Sequence, residues 1–191
     1  MNHKIRLADK NDSNNIIKIY EPYIKNTAIS FETEVPSLSE FSNRIEKIIS
    51  KYPFLVYEID SNIAGYAYAS QFRERAAFNY NVETSIYTLL EYHGKGIAYK
   101  LYDKLLKILY ELGYINVYAC YTVPNIKSKK FHKKFGFKET GLYKKTGYKF
   151  GQWHDLIWLH KKIRDYNNLK KISGINEIPN EIINKICEIN D

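Results

Sequence analysis

Thr88-Leu89-Leu90-Glu91-Tyr92-His93-Gly94-Lys95-Gly96-Ile97-Ala98-Tyr99 is the stretch whose reading decides the fold. Just upstream, Val82, Thr84, Ile86 and Thr88 alternate through residues 82–90, the period of a half-buried strand. Downstream, Leu101, Leu105, Ile108, Leu109 and Leu112 recur at helical spacing over residues 97–112, and Gly113 supplies the stop. Two glycines therefore sit between a strand and a long helix. The first turn of such a helix presents unpaired backbone N–H groups at the positive end of its dipole. Glycines let the backbone approach a ligand closely, so the segment predicts an anion site suited to a pyrophosphate. Two other phosphate loops are excluded. No Gly-Lys-Ser/Thr closes the segment, and the third glycine and downstream acid of a dinucleotide fingerprint are missing.

Working outward, residues 3–8 predict a short edge strand, and residues 14–26 a helix that Pro22 should kink. Ser37 can cap a second helix with Glu40 as reciprocal partner, and Phe41, Ile45, Ile48 and Ile49 form its apolar face. Residues 53–72 read as a hairpin turning at Asp60-Ser61-Asn62. After the long helix come a strand over 115–122, a helix over 125–135 ended by Gly136, and two strands over 137–146 and 148–160. A meander followed by βαβ crossovers predicts an α/β domain, a mixed sheet with helices on its faces. Residues 1–162 read as that domain. Residues 163–191 change composition and carry apolar residues at 178, 182, 186 and 189, an amphipathic helix expected to pack on the domain or on a partner.

Composition bounds the function. The 191 residues are 45% apolar and 26% charged, which is globular rather than disordered. The net charge of +8 invites a nucleic acid, an anionic membrane surface or a small polyanion. The basic residues are 24 Lys against five Arg, as an AT-rich coding sequence would give, so each arginine carries more information than a lysine. No apolar run of about eighteen residues exists, so no membrane-spanning helix is expected. The first residues lack the apolar core of a secretory signal, and Cys120 and Cys187 have no metal-ligand or redox spacing. A cytoplasmic protein with free thiols and no metal is expected.

Strand, then [Gln/Arg]-x-x-Gly-x-[Gly/Ala], then a long helix resembles the acetyl-CoA signature of the GNAT acetyltransferases. His93 stands where that family usually has Gln or Arg. A second family element follows as Asn125-x-x-Ser128 with Phe135-Gly136-Phe137, and order and spacing match over residues 3–160. Four stretches, GYAYASQFRERAAF (65–78), NVETSIY (81–87), FHKKFGF (131–137) and GYKFGQWHDLIW (147–158), are similar to the phosphinothricin and methionine sulfoximine N-acetyltransferases. The resemblance implies a GNAT fold, a mixed and mostly antiparallel sheet flanked by helices, here with an extra C-terminal helix. It implies transfer of acetyl from acetyl-CoA to a small amino acid or analogue, by direct attack in a ternary complex without a metal, and commonly a homodimer.

Acetyl transfer needs a neutral amine, because an ammonium has no lone pair, so a base must take the proton. Glu83 is a strand carboxylate that residue chemistry alone would leave on the surface; the resemblance makes it the general base. His132 lies seven residues after Asn125, on the same helix face. It reads either as a helix-surface histidine or, where relatives carry Tyr, as the proton donor to the leaving thiolate. The resemblance assigns the backbone of Ile86, Tyr87 and Thr88 to the acetyl group and the pantetheine arm. It assigns His93, Gly94, Lys95, Gly96, Ile97, Ala98 and Tyr99 to the pyrophosphate, and Asn125 with Ser128 to the cofactor arm.

Lys127, Lys129, Lys130, Lys133 and Lys134 form a basic run in which Lys129, Lys130 and Lys133 are candidate phosphate contacts, or simply a solvated helix face. Arg73 and Arg75 would point the same way in an extended segment and suit a carboxylate or phosphinate. Phe31, Glu32, Ala76, Phe78, Trp153 and His154 complete the expected substrate wall, although aromatics are more often core. A polyamine, aminoglycoside or protein N-terminus would want an acidic pocket, which the paired arginines oppose. A nucleic-acid-binding module would leave the glycine loop unexplained, so neither nucleic acid nor membrane is an expected partner.

Overall fold

The computed structural model describes residues 1–189. Among them, seven strands form one sheet: β1 (His3–Leu7), β2 (Phe54–Ile59), β3 (Asn62–Gln71), β4 (Asn81–Thr88), β5 (Asn116–Val123), β6 (Lys138–Lys149) and β7 (Gln152–Lys162). Their order is β1-β2-β3-β4-β5-β7-β6, and every neighbouring pair is antiparallel except β4 with β5. The helices are α1 (Ser13–Asn26), α2 (Leu38–Ile49), α3 (Ile97–Glu111), α4 (Ile126–Lys134) and α5 (Asn180–Cys187). This is the expected mixed, mostly antiparallel sheet flanked by helices, with an extra C-terminal helix.

Strand alternation sorts the core into two layers. Leu55, Tyr57, Ala67 and Ala69 face α3 and α5, while Phe54, Val56 and Tyr66 face α1 and α2. The parallel pair creates the gap that matters most. β4 and β5 are in register only at Asn81–Asn116, Val82–Val117 and Glu83–Tyr118. Beyond Glu83, β4 stays with β3 up to Thr88–Gly65, and β5 stays with β7 up to Val123–Asp155. The sheet therefore splits between them.

Ser37 and Glu40 form the capping box that starts α2. α1 runs unbroken through Pro22; the carbonyl it deprives of a donor belongs to exposed Lys18. Two expectations are corrected. The last hairpin does not turn at Gly147 but at Phe150-Gly151, both at positive φ (53° and 76°) between the paired Lys149 and Gln152. Gly147 lies inside β6 because the Phe31 ring rests on it; a Cβ there would come within 2.4 Å of Phe31 Cζ.

The C-terminal helix also differs. Its buried face is Ile183 and Cys187 with Ile186 beside them, while Ile182 is 42% exposed. α5 begins at Asn180, and the i, i+3, i+4 set it turns inward packs on α3 and β1. It thus docks on its own domain. The connecting segment is tied down as well: Arg164 lies 3.9 Å over the Tyr110 ring, and Ser173 N–H donates to Leu112 O at 3.1 Å.

Candidate active site

β4 leads through a short turn, Leu90–Tyr92, into His93 and the first turn of α3. Gly94 and Gly96 both have φ +81°, and a Cβ at either would meet nothing within 4 Å. The backbone is therefore open on one side and strained for any other residue. Gly96 caps α3 with no side-chain hydrogen bond, so the first-turn N–H groups of Ile97, Ala98 and Tyr99 are left for an anion. The residues present fit a pyrophosphate by geometry and by dipole.

His93 is turned towards α1. Its Nε2 lies 2.9 Å from Tyr23 Oη, and Tyr23 gives its single proton to Thr88 O at 2.5 Å. His93 Nε2 must then be the donor to Tyr23. Burial and the Lys127 charge hold this imidazole below its usual range. Asn125 caps α4, its Oδ1 accepting from Ser128 N–H at 3.0 Å. Tyr99 stacks on Phe135 at 4.6 Å, with Lys134 Nζ 4.6 Å over its face. Lys129 is paired with Glu139 at 2.9 Å.

His132 is not on the helix surface. It is 5% exposed, with the rings of Tyr102, Phe131 and Phe137 set edge-on at 5.6, 5.2 and 5.3 Å. Its Nδ1 lies 3.0 Å from Ser128 O, and a carbonyl only accepts, so the neutral ring carries its proton on Nδ1. Burial lowers its pKa and keeps it neutral.

Glu83 occupies the last position at which β4 pairs with β5, where the gap opens. Burial raises its pKa, while the charge of Arg73 and a hydrogen bond from Cys120 oppose that rise. Cys120 Sγ donates to Glu83 Oε1 at 3.8 Å, and its thiol is pushed up to about 12 by burial and by the carboxylate. Sequence reading missed this contact, though it was available: residues 118, 120 and 122 of β5 share the face of residues 83, 85 and 87 once the two strands are paired in parallel. Beyond Glu83, Tyr87 is set among Tyr20, Tyr23 and Tyr66 at ring distances of 4.9, 5.1 and 5.4 Å.

The expected substrate residues divide into groups. Arg73 holds its guanidinium 4.7 Å over Phe72 and 5.7 Å from the Trp158 ring, where its charge acts on Glu83. Residues 72–80 are bends and one short helical turn, Ala76–Phe78, rather than extended chain, so strand alternation does not align Arg75 with Arg73. Arg75, Ala76 and Phe78 lie exposed on that loop. Phe31 and Glu32 sit in the segment after α1. Glu32 Oε1 accepts from Arg44 at 2.8 Å and from Tyr20 Oη at 3.2 Å. His154 is buried, its ring 6.3 Å from Phe31. Trp153 is 59% exposed beside Tyr148 at the hairpin.

Two hollows of about 310 and 390 Å³ open on the molecule, the first beside Ile49 and Ile175 and the second between the loop bearing Arg73, Ala76 and Phe78 and the segment of Tyr114 and Lys171. The candidate site is the open gap between β4 and β5 rather than an enclosed cavity. Among the described residues, no cluster of His, Cys, Asp or Glu is arranged to hold a metal ion, and no helix is long and apolar enough to cross a membrane.

A sheet split beyond Glu83, with a glycine-lined helix N-terminus at its mouth, is the architecture of an acyl-group transferase. Residues 5–158 match the acetyltransferase (GNAT) domain model, and the chain belongs to that family. It is 32% identical over 153 residues to a phosphinothricin N-acetyltransferase of Streptomyces viridochromogenes, covering 80% of this chain and 84% of that one. It is 30% identical over 166 residues to an L-methionine sulfoximine/L-methionine sulfone acetyltransferase of Salmonella typhimurium, covering 85% and 95%. The crystal structure of a phosphinothricin acetyltransferase from Sinorhizobium meliloti in complex with acetyl-CoA superimposes with a TM-score of 0.81 at 32% identity, covering 94% of each chain.

Proposed function

We propose that this acetyltransferase moves acetyl from acetyl-CoA to the amino group of a small amino acid or analogue of the phosphinothricin or methionine sulfoximine type. The observation that carries the reading is a half-buried Glu83 carboxylate at the mouth of the β4–β5 gap, within the field of the Arg73 charge. In this reading the α3 N-terminus and Gly94–Gly96 take the pyrophosphate, and Asn125 orients the arm. The backbone of 86–88 lies along the thioester. The split in the sheet lets the arm reach Glu83's level without breaking strand hydrogen bonds.

The chemistry then balances without a metal or a covalent enzyme intermediate. Glu83 takes one proton from the substrate ammonium, directly or through water. The freed amine attacks the thioester carbon, the C–S bond breaks, and the second amine proton passes to the departing sulfur. Cys120 suits the role of a donor to Glu83 and not of a nucleophile, because its thiol stays protonated. His132 suits packing and positioning, because its neutral Nε2 accepts rather than donates. Initial velocities with phosphinothricin or methionine sulfoximine are expected to give intersecting double-reciprocal lines; parallel lines would require an acetyl-enzyme and remove the scheme.

Arg73 gives a pH test with a definite sign. Its charge lowers the Glu83 pKa, against burial. Arg73→Ala removes that cation, so the Glu83 pKa rises and the acid limb of kcat/KM for the amine moves to higher pH. A limb that stays in place, or moves down, would separate Arg73 from Glu83. The exposed apolar side chains of the β6–β7 hairpin, including Tyr143, Phe150 and Trp153, suit the expected homodimer. Light scattering that returned a single-chain mass would remove that part.

A further inference from the structure

Lys149 is a buried titratable side chain to which the scheme above gives no task. It is 4% exposed at the end of β6. Its Nζ donates to Ile24 O and to Ser30 O, both at 2.7 Å, and lies 5.0 Å from the Phe150 ring. The Ile24 carbonyl belongs to the last turn of α1, so it is one of those the helix leaves unpaired, at the negative end of the dipole. Burial draws the ammonium below its ordinary value, with the Glu32 charge opposing. Taking a charge out of water costs stability that a methionine of similar length would not incur. What the ammonium adds is geometry, because it joins two carbonyls on either side of the turn that follows α1.

The same strand holds that turn at two more points. Gly147 accepts the face of Phe31, with no room for a Cβ. Its cross-strand partner His154 flanks the Phe31 ring at 6.3 Å, and His154 Nε2 lies 3.1 Å from Lys149 O. From Ser30 the order passes on. Ser30 Oγ accepts from Glu32 N–H at 3.2 Å and bonds Tyr20 Oη at 2.6 Å, and Glu32 is held by Arg44 and Tyr20.

We infer that Lys149 is a positioning residue for the amine. It anchors the segment carrying Phe31 and Glu32 to the β6–β7 hairpin and so fixes the wall that the substrate side chain meets. The inference rests on the amine site proposed above. The anchor touches neither Gly94–Gly96 nor Asn125. Its link to the cofactor side runs through Tyr23, the residue before Ile24, which bonds Thr88 O and His93, whereas Ser30, Phe31 and Glu32 are held directly, so the larger defect is expected for the amine.

The test compares the full chain with Lys149→Met and Lys149→Arg by two readouts. Hydrogen exchange needs no substrate. In Lys149→Met the amides of residues 27–36 are expected to exchange about tenfold faster or more, with β4 unchanged, and Lys149→Arg is expected to stay near wild type. In steady-state kinetics with phosphinothricin or L-methionine sulfoximine, Lys149→Met is expected to raise the amine KM about tenfold or more. The KM for acetyl-CoA stays within about twofold, and Lys149→Arg restores most of the loss. Gly147→Ala keeps Lys149 but displaces Phe31, so it should raise the amine KM in the same way; it serves if Lys149→Met fails to fold. Unchanged exchange over 27–36, or equal rises in both KM values, overturns the inference. If the wild type acetylates neither compound, the substrate reading has failed, and the exchange result alone decides the anchor.

Discussion

Glu83→Gln is expected to lower kcat/KM for the amine by about 10²–10³-fold near pH 7, within the usual worth of a positioned general base. Glutamine keeps the shape and the Cys120 contact but cannot accept the ammonium proton. The defect should shrink as pH rises, because solvent then supplies the neutral amine that Glu83 otherwise generates. Acetyl-CoA affinity should stay within about twofold, since the cofactor loop is a separate element of the chain. The measurement is kcat/KM against pH for both proteins, with cofactor affinity by calorimetry. A wild-type rate across the whole range would remove Glu83 from the chemistry. A pH-independent deficit would give it a role in packing.

Gly96→Val should act mainly on the cofactor, with a modest cost in stability. At φ +81° a side chain costs about 1–2 kcal/mol, and a β-branched one sits at the upper end. The new Cβ would point into open space on the side where the anion is expected. The strain should lower thermal stability modestly, whereas the blocked approach should weaken acetyl-CoA binding about 30-fold or more. Gly151 supplies the control. It has φ +76° and equally open surroundings, but it lies in the β6–β7 turn. Gly151→Val should carry a similar stability cost with acetyl-CoA affinity unchanged. Equal affinities for the two variants would take the pyrophosphate off the Gly96 loop.

Much of this was legible because local patterns carry it. Alternation through 82–88, the leucine stripe from Leu101 to Leu112 and the glycines between them specify strand, loop and helix without reference to the rest of the chain. The Ser37–Glu40 box is equally local. What escaped was set by tertiary neighbours. Gly147 reads as a turn until Phe31, more than a hundred residues earlier, is laid on it. His132 reads either as a surface residue of a lysine-rich helix or as a proton donor, and its burial shows only once Tyr102 and Phe137 close around it. Lys149 looks like one more lysine of a basic strand, yet it is the one that two distant carbonyls draw inward. The alignment of Arg73 with Arg75 failed for a related reason: the chain between β3 and β4 bends, and sequence spacing fixes side-chain direction only in regular structure.

The central claim is transfer of acetyl to an amino acid or analogue bearing an anionic or strongly polar head. The most direct measurement is thiol release from acetyl-CoA by the intact chain. The amines to compare are phosphinothricin, methionine sulfoximine, ordinary amino acids, a polyamine and an aminoglycoside. Release is expected with the analogues or with amino acids, and their kcat/KM should exceed that of the polycations by about tenfold or more, the worth of one charge-assisted hydrogen bond from Arg73. Release only with the polyamine or the aminoglycoside would contradict the account.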